Sequence, residues 1–379
     1  MRVLPPAIIA ADPVEAWPMF RFSPSRAGHV TTSGPDANYT LWTYVTGGAV
    51  SSSPAVVDGW LYVGSMNGMV YCLNASSGTY QWNFLTRDVI ASSPAVVDSR
   101  VYVGSFDDRV YCLNASTGAH LWNFTTGGDV FASPAVANGR VYVGSHDNRV
   151  YCLNASTGTH LWNTTTGGWV DSSPSVAGGK LYVGSFDQAV HCFDAFTGEP
   201  YWHTPTGGVV RSSPAVVGGF VYVGSWDDEV YCLDATTGVE IWSYLTGGDV
   251  QSSPAVADGR VYVGSNDFKV YCLNASTEMK LWEYPTGGQV HSSPAVADGK
   301  VYVGSFDDRV YCLNASTGAH LWNATTGGDV FASPAVIDGQ VYVGSNDNGV
   351  YGFGTRTFRY DVKHDSHQFL VKAVSNSFI

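Results

Sequence analysis

Two sets of residues along this chain have the side-chain types and the variation that recognition chemistry needs. The first recurs every 40 residues: Ser51, Ala91, Phe131, Asp171, Arg211, Gln251, His291 and Phe331. Asp171, Arg211, Gln251 and His291 are consecutive and polar; Phe331, Ser51, Ala91 and Phe131 are small or apolar. The second set is Met66, Phe106, His146, Phe186, Trp226, Asn266, Phe306 and Asn346, with Trp169 near it. A polar wall facing an aromatic wall is how many small-ligand sites are built. The candidate ligand-binding residues are therefore Asp171, Arg211, Gln251, His291, Phe131, Phe331, Trp169 and Trp226. No Ser-His-Asp motif, phosphate loop or Cys-x-x-Cys pair accompanies them, so no catalytic residue is assigned.

Other reactive groups read as structural. Asp107, Asp147, Asp187, Asp227, Asp267, Asp307 and Asp347, with Asn67, also repeat. A ring of carboxylates is one way to attract Ca²⁺, but an Asp in a tight turn more simply caps its own backbone. The Cys residues (72, 112, 152, 192, 232, 272 and 312) number seven and share one repeat position. An odd count at equivalent sites is not a disulfide framework, and buried free thiols acting as small apolar side chains are expected. His364, Asp365 and His367 form a conceivable metal trio, better read as the polar turn of a hairpin. No metal site is assigned.

The elements that must position these residues are a repeat. VYVGS or LYVGS begins at 61, 101, 141, 181, 221, 261, 301 and 341. One Trp closes each unit: Trp42, Trp82, Trp122, Trp162, Trp202, Trp242, Trp282 and Trp322. Within a unit, short Val- and Tyr-rich runs bounded by Asn, Asp and Gly read as four antiparallel strands. For one unit these are A (130–136), B (141–145), C (150–155) and D (159–166). Pro occupies every strand A, at 54, 94, 134 and onward to 334. Because Pro lacks the N–H of a central strand, A is predicted to be an edge. Eight such meanders predict an all-β, eight-bladed propeller with strand A on the axis. The last unit has A, B and C but no D, whereas the chain starts with an orphan D strand at 40–48. Pairing the two closes the ring and removes open edges. The expected division is a leader (1–39), the propeller (40–353) and a C-terminal hairpin or start of a further domain (354–379). The leader is expected to pack along the array. Since the start of A and the B–C turn lie at the same end of a meander, both variable sets fall on one face of the disc.

Bulk composition agrees. Charged residues are 13% and Gly numbers 43, against roughly 25% charged in ordinary soluble domains. The net charge of −13 with no basic run argues against nucleic acid and anionic membrane as partners. No apolar run reaches the length of a membrane span. The opening MRVLPPAIIAADPVEA, broken by Pro5 and Pro6, is a poor signal peptide. Asn-x-Ser/Thr sequons are nonetheless frequent, and those at Asn123, Asn163 and Asn323 lie outside the recurrent turn Asn, which favours an extracytoplasmic protein, secreted or on the cell surface. Segments 101–136 and 301–336 differ only at Phe124 and Ala324; such near-identity leaves little room for blade-specific catalysis.

The run Cys112-Leu113-Asn114-Ala115-Ser116-Thr117-Gly118-Ala119-His120-Leu121-Trp122 resembles the tryptophan-docking motif of pyrroloquinoline-quinone (PQQ) type propeller repeats, Ala-x-Asp-x-x-Thr-Gly-x-x-x-Trp. Cys stands for Ala, and Asn mostly for Asp, which Asp194 and Asp234 keep. Trp17-Pro18-Met19-Phe20-Arg21 also resembles the segment before the first blade in that family. The resemblance implies that each Trp fills the gap between blades. It does not carry the cofactor: quinone-dependent dehydrogenases of this fold use a vicinal Cys–Cys disulfide, a Ca²⁺ held by Glu and Asn, and a catalytic Asp, and this chain has no adjacent Cys pair. The expected function is a monomeric, non-catalytic binding or scaffold propeller with a protein or glycan partner on the variable face and no cofactor. The alternatives are a PQQ- and Ca²⁺-dependent dehydrogenase-like enzyme with a degenerate site, and a subunit of an envelope assembly machine.

Overall fold

The computed structural model describes residues 16–356 and, of the tail, the backbone of Tyr360–Asp361 and Lys372–Ala373, which pair antiparallel. Each repeat is one four-stranded antiparallel blade in the order A-B-C-D. In the third blade the strands are A (Ala135–Ala137), B (Arg140–Ser145), C (Arg149–Asn154) and D (His160–Thr165). Strands B and C are buried on both faces, as Val141, Tyr142, Val143, Val150, Cys152 and Leu153 show. Neighbouring blades cover both faces of these strands, so their sequences read as continuous apolar runs.

Strand A is shorter than its sequence suggests. Only three residues pair with B, and the segment 130–134 leaves the ladder. Pro134 has no N–H to donate. The residue before it, Ser133, turns its N–H to the next blade instead, donating to Ser173 Oγ at 2.9 Å.

The blades are bolted together through the Trp residues. Trp82 Nε1 donates to Ala115 O of the following blade at 2.9 Å, and its ring packs against Tyr62 with centroids 5.9 Å apart. Asn114 Oδ1 holds the receiving turn by accepting from the N–H of Ser116 and Thr117. Gly118 sits at φ +70° beneath the indole, where a Cβ would lie 2.6 Å from Trp82 Cε3. Trp322 has no such turn to dock on, because strands C and D of the eighth blade come from distant parts of the chain and are not joined by a turn, and it donates to Pro35 O at 3.3 Å instead.

Closure is between chain-distant strands. Tyr39–Val45 pairs antiparallel with Gly349–Gly354, with Trp42 opposite Gly352, and so becomes strand D of the eighth blade. The ring therefore has no free blade edge at the seam.

The leader does more than lie alongside. The N–H groups of Val56, Val96, Val176, Val216, Val256 and Val296, all on the axial edges of A strands, donate to the carbonyls of Trp17, Pro18, Pro24, Ser25, Ala27 and Gly28. His29–Val30 then pairs in parallel with Val296–Ala297, and Ser33 O accepts from Gly339 N. The segment 17–33 thus circles the axis and plugs one end of the channel.

Two glycines separate docking from backbone strain. Gly139 has φ +70° and open space around its Cβ position, so Gly139→Ala is expected to cost about 1–2 kcal/mol, the left-handed penalty alone. Gly118→Ala adds overlap with Trp82, for a total of about 2–5 kcal/mol once overpacking is included. Chemical denaturation of the two variants checks the order; equal losses would mean that the indole does not bear on Gly118.

Candidate functional site

With one end plugged, the channel becomes a blind cavity open on the variable face. Strand A begins at that face, so the first variable set forms its mouth. Four residues polar by sequence, Asp171, Arg211, Gln251 and His291, line it together with Phe131 and Phe331. One tier deeper is a ring of serines at 40-residue spacing, from Ser53 to Ser333, and Phe20 of the leader closes the floor. The empty volume is about 540 Å³, the open mouth included.

The serine tier is a closed circle of hydrogen bonds. Ser53 N–H donates to Ser93 Oγ (2.9 Å), Ser93 N–H to Ser133 Oγ (3.0 Å), and so on around the ring until Ser333 N–H donates to Ser53 Oγ (2.8 Å). Each hydroxyl accepts from its neighbour, and among the described residues none of these eight hydroxyl protons has an acceptor. They are left to donate into the lumen.

Beneath them lie two arginines that sequence reasoning passed over. Arg21 and Arg26 are 2% and 0% exposed. Arg26 donates to Pro174 O (2.7 Å), Ser133 O (2.9 Å) and Phe20 O (2.8 Å). Arg21 donates to Ser253 O, Pro254 O and Arg26 O. Every partner is a carbonyl. Burial pulls both guanidinium groups down to about 9, with repulsion from Arg26 adding to the effect at Arg21; both remain cations at neutral pH. A hint of this lies in the leader, where Arg21 and Arg26 flank Phe22-Ser23-Pro24-Ser25 and no acidic residue occurs between Glu15 and Asp36.

At the mouth the charges are neutralised. Arg211 Nε lies 3.3 Å from Asp171 Oδ2, and its Nη1 donates to Gln251 Oε1 at 3.0 Å. Its guanidinium carbon stands 4.5 Å from the Phe131 ring centre and 5.7 Å from that of Phe331. The side chain therefore crosses from the polar arc to the aromatic one. Asp171 Oδ1 also lies 2.6 Å from His146 Nε2, and His146 Nδ1 is 3.5 Å from Asp129. Burial works against the His146 cation, but the hydrogen bond and charge of Asp171 outweigh it and raise the imidazole pKa above its ordinary value. His291 is the opposite case. It packs against Phe306 (4.4 Å) and Phe331 (5.7 Å) with neither ring nitrogen bonded. Burial first, and Arg211 second, push it down to about 4.

The structure thus brings six of the eight candidates to one cavity. Trp169 and Trp226 lie outside it. Trp169, 49% exposed, stacks on His146 at 4.6 Å and meets Phe186 at 5.6 Å; Trp226 meets the other side of Phe186 at 5.6 Å. Phe106 touches His146 at 6.2 Å, so an arc of aromatic rings borders the mouth.

The repeated carboxylates do not converge. Asp147 binds the hydroxyl of Tyr151 on its own blade and accepts from Gly127 N of the preceding one at 2.9 Å. The other Asp residues of the set make variants of this tie, and no group of three potential metal ligands occurs among the described residues. All seven cysteines are buried and free; burial pushes thiols such as Cys112 and Cys232 up to about 12, which leaves them inert. His364, Asp365 and His367 fall outside the described residues.

A closed ring of docked blades around a plugged axial channel defines a β-propeller of the tryptophan-docked type. The family model for the propeller of beta-alanine-activating enzyme matches residues 136–375, and that for the outer membrane protein assembly factor BamB matches 26–128 and 85–168. The chain belongs to the β-propeller family of the first model, which covers more than half of it, and its N-terminal part is similar to the PQQ-like repeats of the second. Among solved structures it is similar to BamB from Moraxella catarrhalis (21% identity, TM-score 0.73, covering 84% of this chain and 100% of that one). It is also similar to a europium-containing methanol dehydrogenase (15%, 0.78, 90% and 98%) and to the quinohemoprotein alcohol dehydrogenase of Comamonas testosteroni (16%, 0.78, 92% and 83%). At these identities the likeness shows the fold alone. No curated protein matches the chain.

The two histidines should leave opposite marks on stability. Because the folded pKa of His146 is raised, its contribution is complete below about 6.5, its ordinary value, and is lost as pH climbs through the raised value. The melting-temperature difference between wild type and His146→Gln is expected to be largest near pH 6 and to shrink towards pH 8.5. His291 has a lowered pKa, so the unfolded chain takes up a proton between about 6.5 and 4 that the folded one resists. Wild type loses stability over that interval, and His291→Phe is expected to flatten that part of the acid limb. Parallel pH profiles for wild type and both variants would contradict the assignment.

Proposed function

We propose that this propeller is a non-catalytic binding or scaffold module, extracytoplasmic, that engages its partner through the variable face. The observation that carries the reading is a contrast in variability. The docking turns, serine tier and B-strand sequences are nearly uniform from blade to blade, while strong variation concentrates where the channel opens and where the half-buried aromatic arc presents Trp169 to solvent. Uniform parts build the ring, and recognition needs asymmetry. The match to a model named for an outer membrane protein assembly factor favours a protein partner over a glycan.

The dehydrogenase reading fits the cavity poorly. The one carboxylate lining it, Asp171, is engaged by Arg211 and His146. Neither Glu nor Asn lines it to hold Ca²⁺, and no Cys lines it to cover a quinone. No step through such a group is drawn.

A thermal-shift titration with pyrroloquinoline quinone is expected to show no Ca²⁺-dependent change in melting temperature. A ligand present at 100 times its Kd would stabilise the native state by roughly 2.7 kcal/mol, so a Ca²⁺-dependent rise would overturn the non-catalytic reading. The positive test compares wild type with Trp169→Ala/Trp226→Ala in cross-linking on cells of the native host. Loss of a specific cross-linked species in the variant is expected; the same species in both would remove the variable face from the interface.

A further inference from the structure

The axial channel holds an unbalanced charge. Arg21 and Arg26 are buried cations whose hydrogen-bond partners are all backbone carbonyls, and no carboxylate of the described residues lies within 4.0 Å of either. Buried charge is costly unless it is compensated, and carbonyl dipoles compensate only part of it. The chain as a whole carries −13, yet its axis below the mouth is positive. The residues that Arg21 and Arg26 grip, Ser253, Pro254, Ser133 and Pro174, belong to the serine tier or to the step just below it. The two cations therefore lie against the floor of the cavity. Above them is the circle of eight hydroxyls whose protons lack an acceptor among the described residues. Above those, Phe131 and Phe331 provide apolar wall, while Ser51 and Ala91 leave the arc between them clear of bulky side chains. Asp171 does not supply the missing anion at the floor, since it is at the mouth and already paired with Arg211.

We propose that the axial cavity binds a carboxylate carried on an apolar body, with the carboxylate on the serine circle over Arg21 and Arg26 and the body between Phe131 and Phe331. The oxygens accept from serine hydroxyls, which need no rearrangement of the ring because their acceptor side alone is used in the inter-blade bonds. The arc of Ser51 and Ala91 between the two Phe rings takes the apolar part, and Arg211, already lying over both rings, caps it. Two sources share this chemistry: a small free organic acid, and the C-terminus of a peptide ending in an aromatic residue. The proposal rests on the reading that the axial face is a binding face, and it specifies the ligand class.

Isothermal titration of the full chain tests it with benzoate against benzyl alcohol, and with acetyl-Gly-Phe bearing a free terminus against its C-terminal amide. Benzoate, the free peptide or both are expected to bind, and each neutral counterpart at least tenfold more weakly. Benzoate alone would point to a small acid; tighter binding of the free peptide would point to a protein terminus. Equal binding of acid and neutral forms overturns the charge argument, and absence of heat from both acids overturns the site. Arg26→Gln is expected to weaken acid binding at least tenfold, with recovery in Arg26→Lys; if Arg26→Gln does not fold, the acid-against-neutral comparison on wild type decides. Should the acids fail while Trp169→Ala/Trp226→Ala still abolishes cross-linking, the carboxylate proposal falls and the binding-face reading stands.

Discussion

Eight inner strands bring their unpaired edges to a common axis, and the whole disc depends on how those edges are satisfied. Backbone N–H and C=O groups buried without partners are rarely tolerated. Each Pro removes one N–H from the problem. The serine circle takes up another, through bonds that run from blade to blade around the axis. The leader receives most of the rest by circling the channel and presenting carbonyl after carbonyl to the A strands. The same bonds that satisfy the edges hold the blades in register, so edge satisfaction and ring closure are one event.

This arrangement divides labour between the periphery and the axis. On the outside, Trp rings wedge between blades, and five of them find a carbonyl on the next turn, whereas Nε1 of Trp162 and Trp202 has no partner among the described residues and Trp322 turns to Pro35. The wedging needs uniformity, because each blade must fit both of its neighbours. The mouth of the channel bears no such demand. Arg211 of the first variable set reaches across the mouth to Phe131 and Phe331, and none of the Trp docking bonds involves a residue of that set. Variation is cheapest where the repeat geometry constrains least, and that is where an asymmetric network such as His146–Asp171–Arg211–Gln251 can form.

The placement of charge follows from the same geometry. A mostly uncharged, slightly acidic repeat leaves few groups able to fill the axis. The leader brings two long cationic side chains whose forked donors match the crowded carbonyls of the inner strands. Having entered from one end, they fill the lumen there and leave the other end open. A channel that eight identical blades would leave open at both ends becomes a one-sided cavity with a polar wall and an aromatic one.

Strand period, Pro placement, the 40-residue spacing and the mismatch between chain ends are local or countable features. They carried the eight blades, the axial edge strands, the N- to C-terminal seam and the gathering of six variable residues on one face. Strand A was read too long because the sequence cannot say whether an extended segment pairs within its own blade or with the next. Position in the repeat groups Trp169 and Trp226 with the mouth, but the stacking that draws them onto His146 and Phe186, beside the cavity rather than into it, depends on distances between neighbouring turns. Arg21, Arg26 and the free serine hydroxyls were invisible as a site for a similar reason. Their meaning lies in convergence on an axis from residues up to 280 positions apart, and only the closed ring creates that axis. The repeating unit is written along the chain as a period; which end is plugged, which charges are left uncompensated and where a ligand has room depend on contacts that exist only once the ring is shut.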